Sequence, residues 1–161
     1  MFSPALVDRA AALLKRYEAQ GLRIVTAESC TGGLVAALLT EIPGSSTVVE
    51  RGFVTYSNEA KAEMLGVPTD VIAAHGAVSE PVAHAMAEGA LCRSQADVAI
   101  AITGIAGPGG ATAAKPVGLV HFALARQEGT TPLERRYGDL GRAIVREKAV
   151  EDALNLLATY L

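Results

Sequence analysis

The chain has 161 residues, 50% of them hydrophobic, which is enough apolar material for one well-formed core and too little length for two ordinary domains. The formal net charge is only -3, the basic residues are dispersed and aromatics make up 4%, so neither a groove tracking nucleic-acid phosphates nor a base-stacking platform is indicated. The opening Met1-Phe-Ser-Pro-Ala-Leu6 has no basic segment leading into a long apolar run, and no stretch is long enough to span a bilayer, so neither nucleic acid nor a membrane is expected as a partner.

The first element is a helix that starts at Ser3-Pro4, with Ser as cap and Pro at the first helical position. Its apolar stripe is Leu6, Ala10, Leu13, Leu14 and Tyr17, and Gly21 ends it. A strand follows over Leu22 to Ala27, running into Glu28-Ser-Cys-Thr-Gly-Gly33 just before an apolar helix over Leu34 to Leu39. After a break at Ile42 to Ser46, a second strand is expected from Thr47 to Thr55, interrupted near Gly52. Tyr56-Ser-Asn58 then opens a short helix with Lys61 in its first turn, closed by Gly66. A helical turn over Thr69 to His75 stops at Gly76, and Ser79 with Pro81 opens a longer helix through Val82, Met86 and Ala90.

The run Asp97 to Thr103 is apolar at successive positions, as in a mid-sheet strand covered on both faces. A glycine-rich loop follows over Gly104 to Pro116. Two further strands, Val117 to Arg126 and Leu133 to Tyr137, are expected to form a hairpin across Glu128 to Pro132. The last helix spans Gly141 to Tyr160, with Ile144, Val145, the stem of Lys148, Val150, Ala153, Leu154 and Leu157 facing inward and Arg142 and Arg146 on a shared polar side. Helices alternating with strands place the chain in the α/β class, as one domain with a three-layer architecture.

Chemistry concentrates at two strand-to-helix junctions. At the first, backbone N–H groups at the start of the Leu34 helix favour an anion or a developing oxyanion, and Ser29 stands there either as a nucleophile or merely as a helix cap. Cys30 is a rival nucleophile at the same place, with no histidine in the sequence to suggest itself as its base. At the second, Lys61 reads either as a solvated lysine or as a base made neutral by the positive helix end and by burial against Met64 and Leu65. A neutral lysine can deprotonate a serine hydroxyl.

Gly104 to Gly110 follows a mid-sheet strand, where open α/β sheets hold ligands, so Thr103 and these glycines are site candidates, either as a phosphate cradle or as a flexible excursion. The spacing fits neither the P-loop nor the dinucleotide-binding glycine pattern. Lys115 reads as a phosphate neutraliser or a solvated residue, and Arg142 with Arg146 as a phosphate clamp or a solvated face. His75, His84 and His121 share no ligand spacing, and Cys30 and Cys92 form no metal or redox pair, so no metal is expected. Cys92 reads as a small hydrophobe in a helix, and the cysteine usage suits a reducing cytoplasm.

Several of these segments taken together resemble a known family. Thr26-Ala-Glu-Ser-Cys-Thr-Gly-Gly33, Gly52-Phe-Val-Thr-Tyr-Ser-Asn58 with Lys61, Gly76-Ala-Val-Ser79, Thr103-Gly-Ile-Ala-Gly-Pro-Gly-Gly110, Lys115-Pro-Val-Gly118 and Gly141-Arg-x-x-Val-Arg146 are similar to the CinA C-terminal domain family. Its members of known activity are nicotinamide-nucleotide amidohydrolases. The resemblance implies an α/β/α sandwich with a mixed, largely parallel central sheet, and hydrolysis of the carboxamide of nicotinamide mononucleotide to nicotinate mononucleotide and ammonia, without cofactor or metal.

Carried onto this chain, the resemblance implies Ser29 as nucleophile and Lys61 as base, with Tyr56 near them. The accompanying expectation is that N–H groups of Cys30, Thr31, Gly32 and Gly33 hold the oxyanion, that Thr103, Gly104, Gly107, Gly109 and Gly110 line the pocket, and that Arg142 or Lys115 meets the phosphate. A homodimer is expected, as is the stand-alone form of a family whose longer members carry a further N-terminal domain. Ala111-Thr-Ala-Ala114 departs from the family's loop pattern. Two other readings stay open: a nucleotide-binding regulatory module without turnover, and an amidase for a different carboxamide.

Overall fold

Five strands, β1 (Ile24–Glu28), β2 (Val49–Val54), β3 (Val98–Gly104), β4 (Leu119–Arg126) and β5 (Gly129–Arg136), form one sheet of order β2-β1-β3-β4-β5 in the computed structural model, which describes residues 1–161. Pairing is parallel across β2, β1 and β3 and antiparallel from β3 through β4 to β5. The helices are α1 (Pro4–Ala19), α2 (Leu34–Thr40), α3 (Asn58–Leu65), α4 (Thr69–His75), α5 (Glu80–Cys92) and α6 (Arg142–Ala158), with a 3-10 turn at Ser45–Thr47. None is long and apolar enough to cross a membrane. The mixed sheet lies between two helical layers, so the α/β/α architecture expected from the sequence is present.

Strand alternation sorts side chains onto two faces. Ile24, Val98, Ile100, Ile102, Val120, Phe122 and Leu124 join α1, α2 and α6 in one core cluster. Val25, Ala27, Ala99, Ala101, Ala123 and Ala125 join α5 in the other, with Leu65 of α3 and Ile72 of α4 behind it. The stripe expected for α1 is buried as read, and the Ser3 hydroxyl caps its start by accepting from the Leu6 N–H. Ser79 does the same for α5.

Local expectations are revised at four places. β2 runs unbroken through Gly52, and the irregularity lies opposite the Ile24/Val25 step instead. Gly52 serves packing, since a Cβ there would lie 2.8 Å from Thr26 Oγ1. The β4–β5 hairpin is tighter than read: Arg126 pairs with Gly129, leaving a two-residue turn, and Pro132 sits inside β5. An edge strand has an unpaired N–H side where proline is tolerated. Ile144 is exposed rather than inward, while Ala149 and Leu156 complete the buried stripe of α6. Cys92, at the last turn of α5, is exposed.

Candidate active site

Glu28 and Ser29 are adjacent at the end of β1, so alternation sends their side chains to opposite faces. Glu28 is fully buried and turns toward α2, where Oε2 accepts from the N–H groups of Gly33 (3.1 Å) and Val35 (3.0 Å) and Oε1 from Ala36 (2.9 Å). The positive end of α2 is thus satisfied by an internal carboxylate. This corrects the expectation of an open anion site there. Gly32 and Gly33 take φ values of 61° and 93°, the left-handed region that lets the chain swing from strand into helix without a Cβ clash.

Their N–H groups do not face a ligand: Gly32 donates to Ser29 O (3.0 Å) and Gly33 to Glu28. The N–H groups of Cys30 and Thr31 have no acceptor within the chain. The carbonyls of the same two residues are held from α6, with Arg146 Nε donating to Cys30 O (3.1 Å) and a terminal nitrogen to Thr31 O (2.9 Å). Arg146 is therefore neither a solvated residue nor free to clamp a phosphate.

Lys61 lies in the first turn of α3, whose start is capped by the Ser57 hydroxyl accepting from Ala60 N–H. It is only 2% exposed. Its Nζ donates to Thr55 O (2.8 Å) and stands 3.1 Å from Ser29 Oγ. No carboxylate pairs with it, and burial holds its pKa below the ordinary lysine value of 10.5. Sequence spacing had left a solvated lysine open, and burial settles the matter. Leu65 is buried as read, but Met64 is exposed and does not cover the amine. With Lys61 neutral, the same 3.1 Å contact lets the serine O–H donate to the amine lone pair, the geometry that general-base removal of the proton requires. The Cys30 thiol is pushed up to about 12, chiefly by burial, which disfavours the thiolate that a cysteine nucleophile needs.

Ser29, Cys30 and Lys61 open into a cleft of about 200 Å³ that Thr103, Gly104 and Arg142 also line. It lies beyond the carboxyl ends of β1 and β3, the edge of the sheet at which open α/β folds hold their ligands. Tyr56 stands at the mouth, 62% exposed, with its hydroxyl accepting from Arg142 (2.8 Å); it makes no hydrogen bond with Ser29 or Lys61. Arg142 also donates to Gly107 O (3.1 Å), bridging the mouth.

The glycine loop departs from the cradle expected of it. Gly107 contributes its carbonyl to Arg142, while Gly109 and Gly110 are exposed and do not reach the cleft. Lys115 is half-exposed and its Nζ donates to His75 O at the C-terminus of α4, away from the lining of the cleft. Thr103 Oγ1 donates to Ala77 O (2.9 Å) and so fixes the Ala77–Val78 wall of the cleft. That wall, Asn58 and Ala106 lie in segments that carried the family resemblance but were given no part in the site, and neither was Glu28. An acid closing a buried strand and followed by Gly-Gly and a helix without a Ser, Thr, Asp or Asn cap was the available signal for Glu28. No three His, Cys, Asp or Glu side chains come together as a metal-holding group.

These features define an α/β protein with a buried serine–lysine pair at the carboxyl ends of two neighbouring parallel strands. The sequence profile of the CinA C-terminal domain matches residues 7–161, and the chain belongs to that family. A CinA-like protein of Mycolicibacterium gilvum is 56% identical over 158 residues, 98% of this chain and 36% of that protein. Another, from Anaeromyxobacter sp., is 52% identical over 162 residues, 100% of this chain and 39% of that protein. The chain thus spans little more than a third of the curated relatives it matches. The solved competence/damage inducible protein CihA of Agrobacterium tumefaciens superposes with a TM-score of 0.96 at 51% identity, covering 99% of this chain and 97% of that one.

Proposed function

We propose that this chain is a hydrolase that cleaves the carboxamide of nicotinamide mononucleotide, giving nicotinate mononucleotide and ammonia. The observation that carries the reading is the buried, carboxylate-free Lys61 amine 3.1 Å from Ser29 Oγ at the floor of a cleft. Lys61 takes the hydroxyl proton as Ser29 Oγ attacks the amide carbon. The N–H groups of Cys30 and Thr31, which lack acceptors in the chain, meet the developing oxyanion. The C–N bond then breaks, Lys61 returns the proton to the leaving nitrogen, and ammonia departs from an acyl-serine. Water attacks that ester, giving a proton to Lys61, which passes it to Ser29 Oγ as the acyl–oxygen bond breaks; the acid leaves, losing its own proton to solvent as the carboxylate, and the serine–lysine pair is restored.

The cleft is small enough that a nucleotide substrate extends beyond it, placing ribose and phosphate near Tyr56 and the Arg142 guanidinium at the mouth. In this reading the protein works in the cytoplasm, for which two free cysteines are suited, and acts as a homodimer.

An ammonia-release assay with the mononucleotide, on wild type and Ser29→Ala, tests the proposal. Wild type is expected to release ammonia and the variant to lose on the order of 10⁴-fold in kcat. Near-normal release by Ser29→Ala removes the serine from the mechanism. Binding of the mononucleotide without any ammonia favours the regulatory module. Release from glutamine or free nicotinamide in preference to the mononucleotide favours an amidase for another carboxamide, because the phosphate would then supply no binding energy for catalysis.

A further inference from the structure

Arg146 is a cation without a carboxylate partner. It makes no ion pair, and its recorded donors go to two main-chain carbonyls, Cys30 O and Thr31 O, both in the turn that follows Ser29. A guanidinium presents its donors in a rigid planar fork, so two contacts fix both peptide planes at once. In a trans peptide the carbonyl and the following N–H point in opposite directions. Pulling Cys30 O toward α6 therefore aims the Thr31 N–H away from it, and pulling Thr31 O aims the Gly32 N–H away, where Ser29 O receives it at 3.0 Å. Glu28 anchors the far end of the same turn through three N–H groups. What is left unpaired between the two anchors is the pair of N–H groups on Cys30 and Thr31.

We infer that Arg146 is a positioning residue for the oxyanion site: its grip on Cys30 O sets the peptide that carries the Thr31 N–H, its grip on Thr31 O sends the Gly32 N–H back to Ser29 O, whose own peptide carries the Cys30 N–H, and it does not contact the substrate phosphate. The inference rests on the serine–lysine reading of this cleft. It assigns the two arginines of α6 different work, Arg142 at the mouth and Arg146 behind the turn.

The test uses Arg146→Lys and Arg146→Met, with the mononucleotide and its dephosphorylated riboside as alternative substrates. A positioning role lowers kcat by about 10²- to 10³-fold, the loss typical of a disabled oxyanion donor, by the same factor for both substrates and with KM nearly unchanged. Lysine is expected to rescue little, because one ammonium does not hold two carbonyls in fixed geometry. Lysine keeps the stem and the charge, so Arg146→Lys gives the answer even where the methionine variant fails to fold. A KM that rises at least about tenfold for the mononucleotide, with the riboside values unmoved, makes Arg146 a phosphate contact and overturns the inference.

A second measurement separates this inference from the choice of substrate. An alkyl fluorophosphonate reacts with an activated serine, forming the Oγ–P bond and expelling fluoride while Lys61 takes the proton, and its phosphoryl oxygen uses the same donors as the oxyanion. Slower labelling of Ser29 in Arg146→Lys, beside a wild type that labels but releases no ammonia, leaves the inference standing and removes the carboxamide. Equal labelling rates in wild type and variant overturn the inference and leave the serine–lysine pair intact. No labelling of wild-type Ser29 and no ammonia removes both.

Discussion

The two faces of the sheet are packed with different side chains, and the difference explains how a lysine comes to be dry. On one face Ile100, Ile102, Phe122 and Leu124 fill a deep layer beneath α1, α2 and α6. On the other, Ala27, Ala99, Ala101, Ala123 and Ala125 leave little between the strands and α5. The small residues let α5 lie close, and Gly89 lets α3 close on α5 in turn: a Cβ at Gly89 would fall 1.9 Å from Leu65 O. Lys61 sits one turn before Leu65, and that sequence of close approaches seals its amine from water. The deep face does different work, holding the turn after Ser29 through Glu28 on β1 and Arg146 on α6. Lys61 and Ser29 thus reach the cleft supported from opposite faces, and each can be disturbed alone.

The sharpest test of that separation is Lys61→Met, which keeps the length of the side chain and removes the amine. Activity is expected to fall on the order of 10⁴-fold or more. Stability is expected to hold or rise, because a desolvated amine without a carboxylate partner is replaced by an apolar group of similar volume. The pH dependence follows from the same burial. The native pKa of Lys61 lies below 10.5, so between that lowered value and 10.5 the unfolded chain binds more protons than the native one, and wild-type stability rises with pH across that window. Thermal melts should show the rise in wild type and not in the variant. For wild type, kcat/KM should climb with pH to a plateau whose midpoint lies below 10.5, as expected when the neutral amine is the working form. A melting temperature well below wild type at neutral pH would mean that the buried amine is a favourable charged group and would undo the argument.

Next in size is Gly89→Ala, which drives a methyl into Leu65 O and its carbonyl carbon. The two helices have to part, at a cost of about 3 kcal/mol. Because α3 carries Lys61, kcat should fall together with stability. Gly109→Ala is the control, with nothing within 4 Å of the new methyl, and it should change stability by less than about 0.5 kcal/mol. Denaturant unfolding and ammonia release on the two variants decide the matter; loss of stability with unchanged kcat would show that α3 is positioned by something other than α5.

Much of this was legible in the chain itself. The helix starts at Ser3-Pro4 and Ser79-Pro81 and the mid-sheet strand at Val98–Gly104 follow from caps and apolar runs, whereas junction residues only made Ser29 and Lys61 candidates and it was the family resemblance that paired them. The roles of the charged residues were not legible, because each depends on a contact distant in sequence. Lys115 ends at the α4 carbonyl of His75, Arg146 at the turn after Ser29, and Arg142 at Tyr56. Periodicity says which side of a helix such residues occupy and nothing of the main-chain carbonyl they will find. The glycines misled for a related reason. Gly32 and Gly33 looked like ligand donors because their freedom suits a tight turn, and the turn itself then consumed their N–H groups. Pro132 looked like a loop residue because the sequence does not reveal that β5 is an edge.

The smallest effects separate the faces at neighbouring positions of one strand. Ile100 and Ala101 are both fully buried on β3, one directed to the deep layer and the other toward α5. Ile100→Val removes one methylene from a layer whose large neighbours can relax, and about 1 kcal/mol is expected, with kcat unchanged. Ala101→Val adds two methyls between Ala27 and Ala123, its partners on the adjoining strands, where only α5 can yield. That overpacking should cost about 2 kcal/mol and, by lifting α5 and α3 with it, should lower kcat as well. If Ala101→Val unfolds at the same denaturant concentration as wild type, the alanine face has room to spare. Its thinness then does not explain the burial of Lys61, and the seal has to come from the Thr55 and Ser29 side of the cleft.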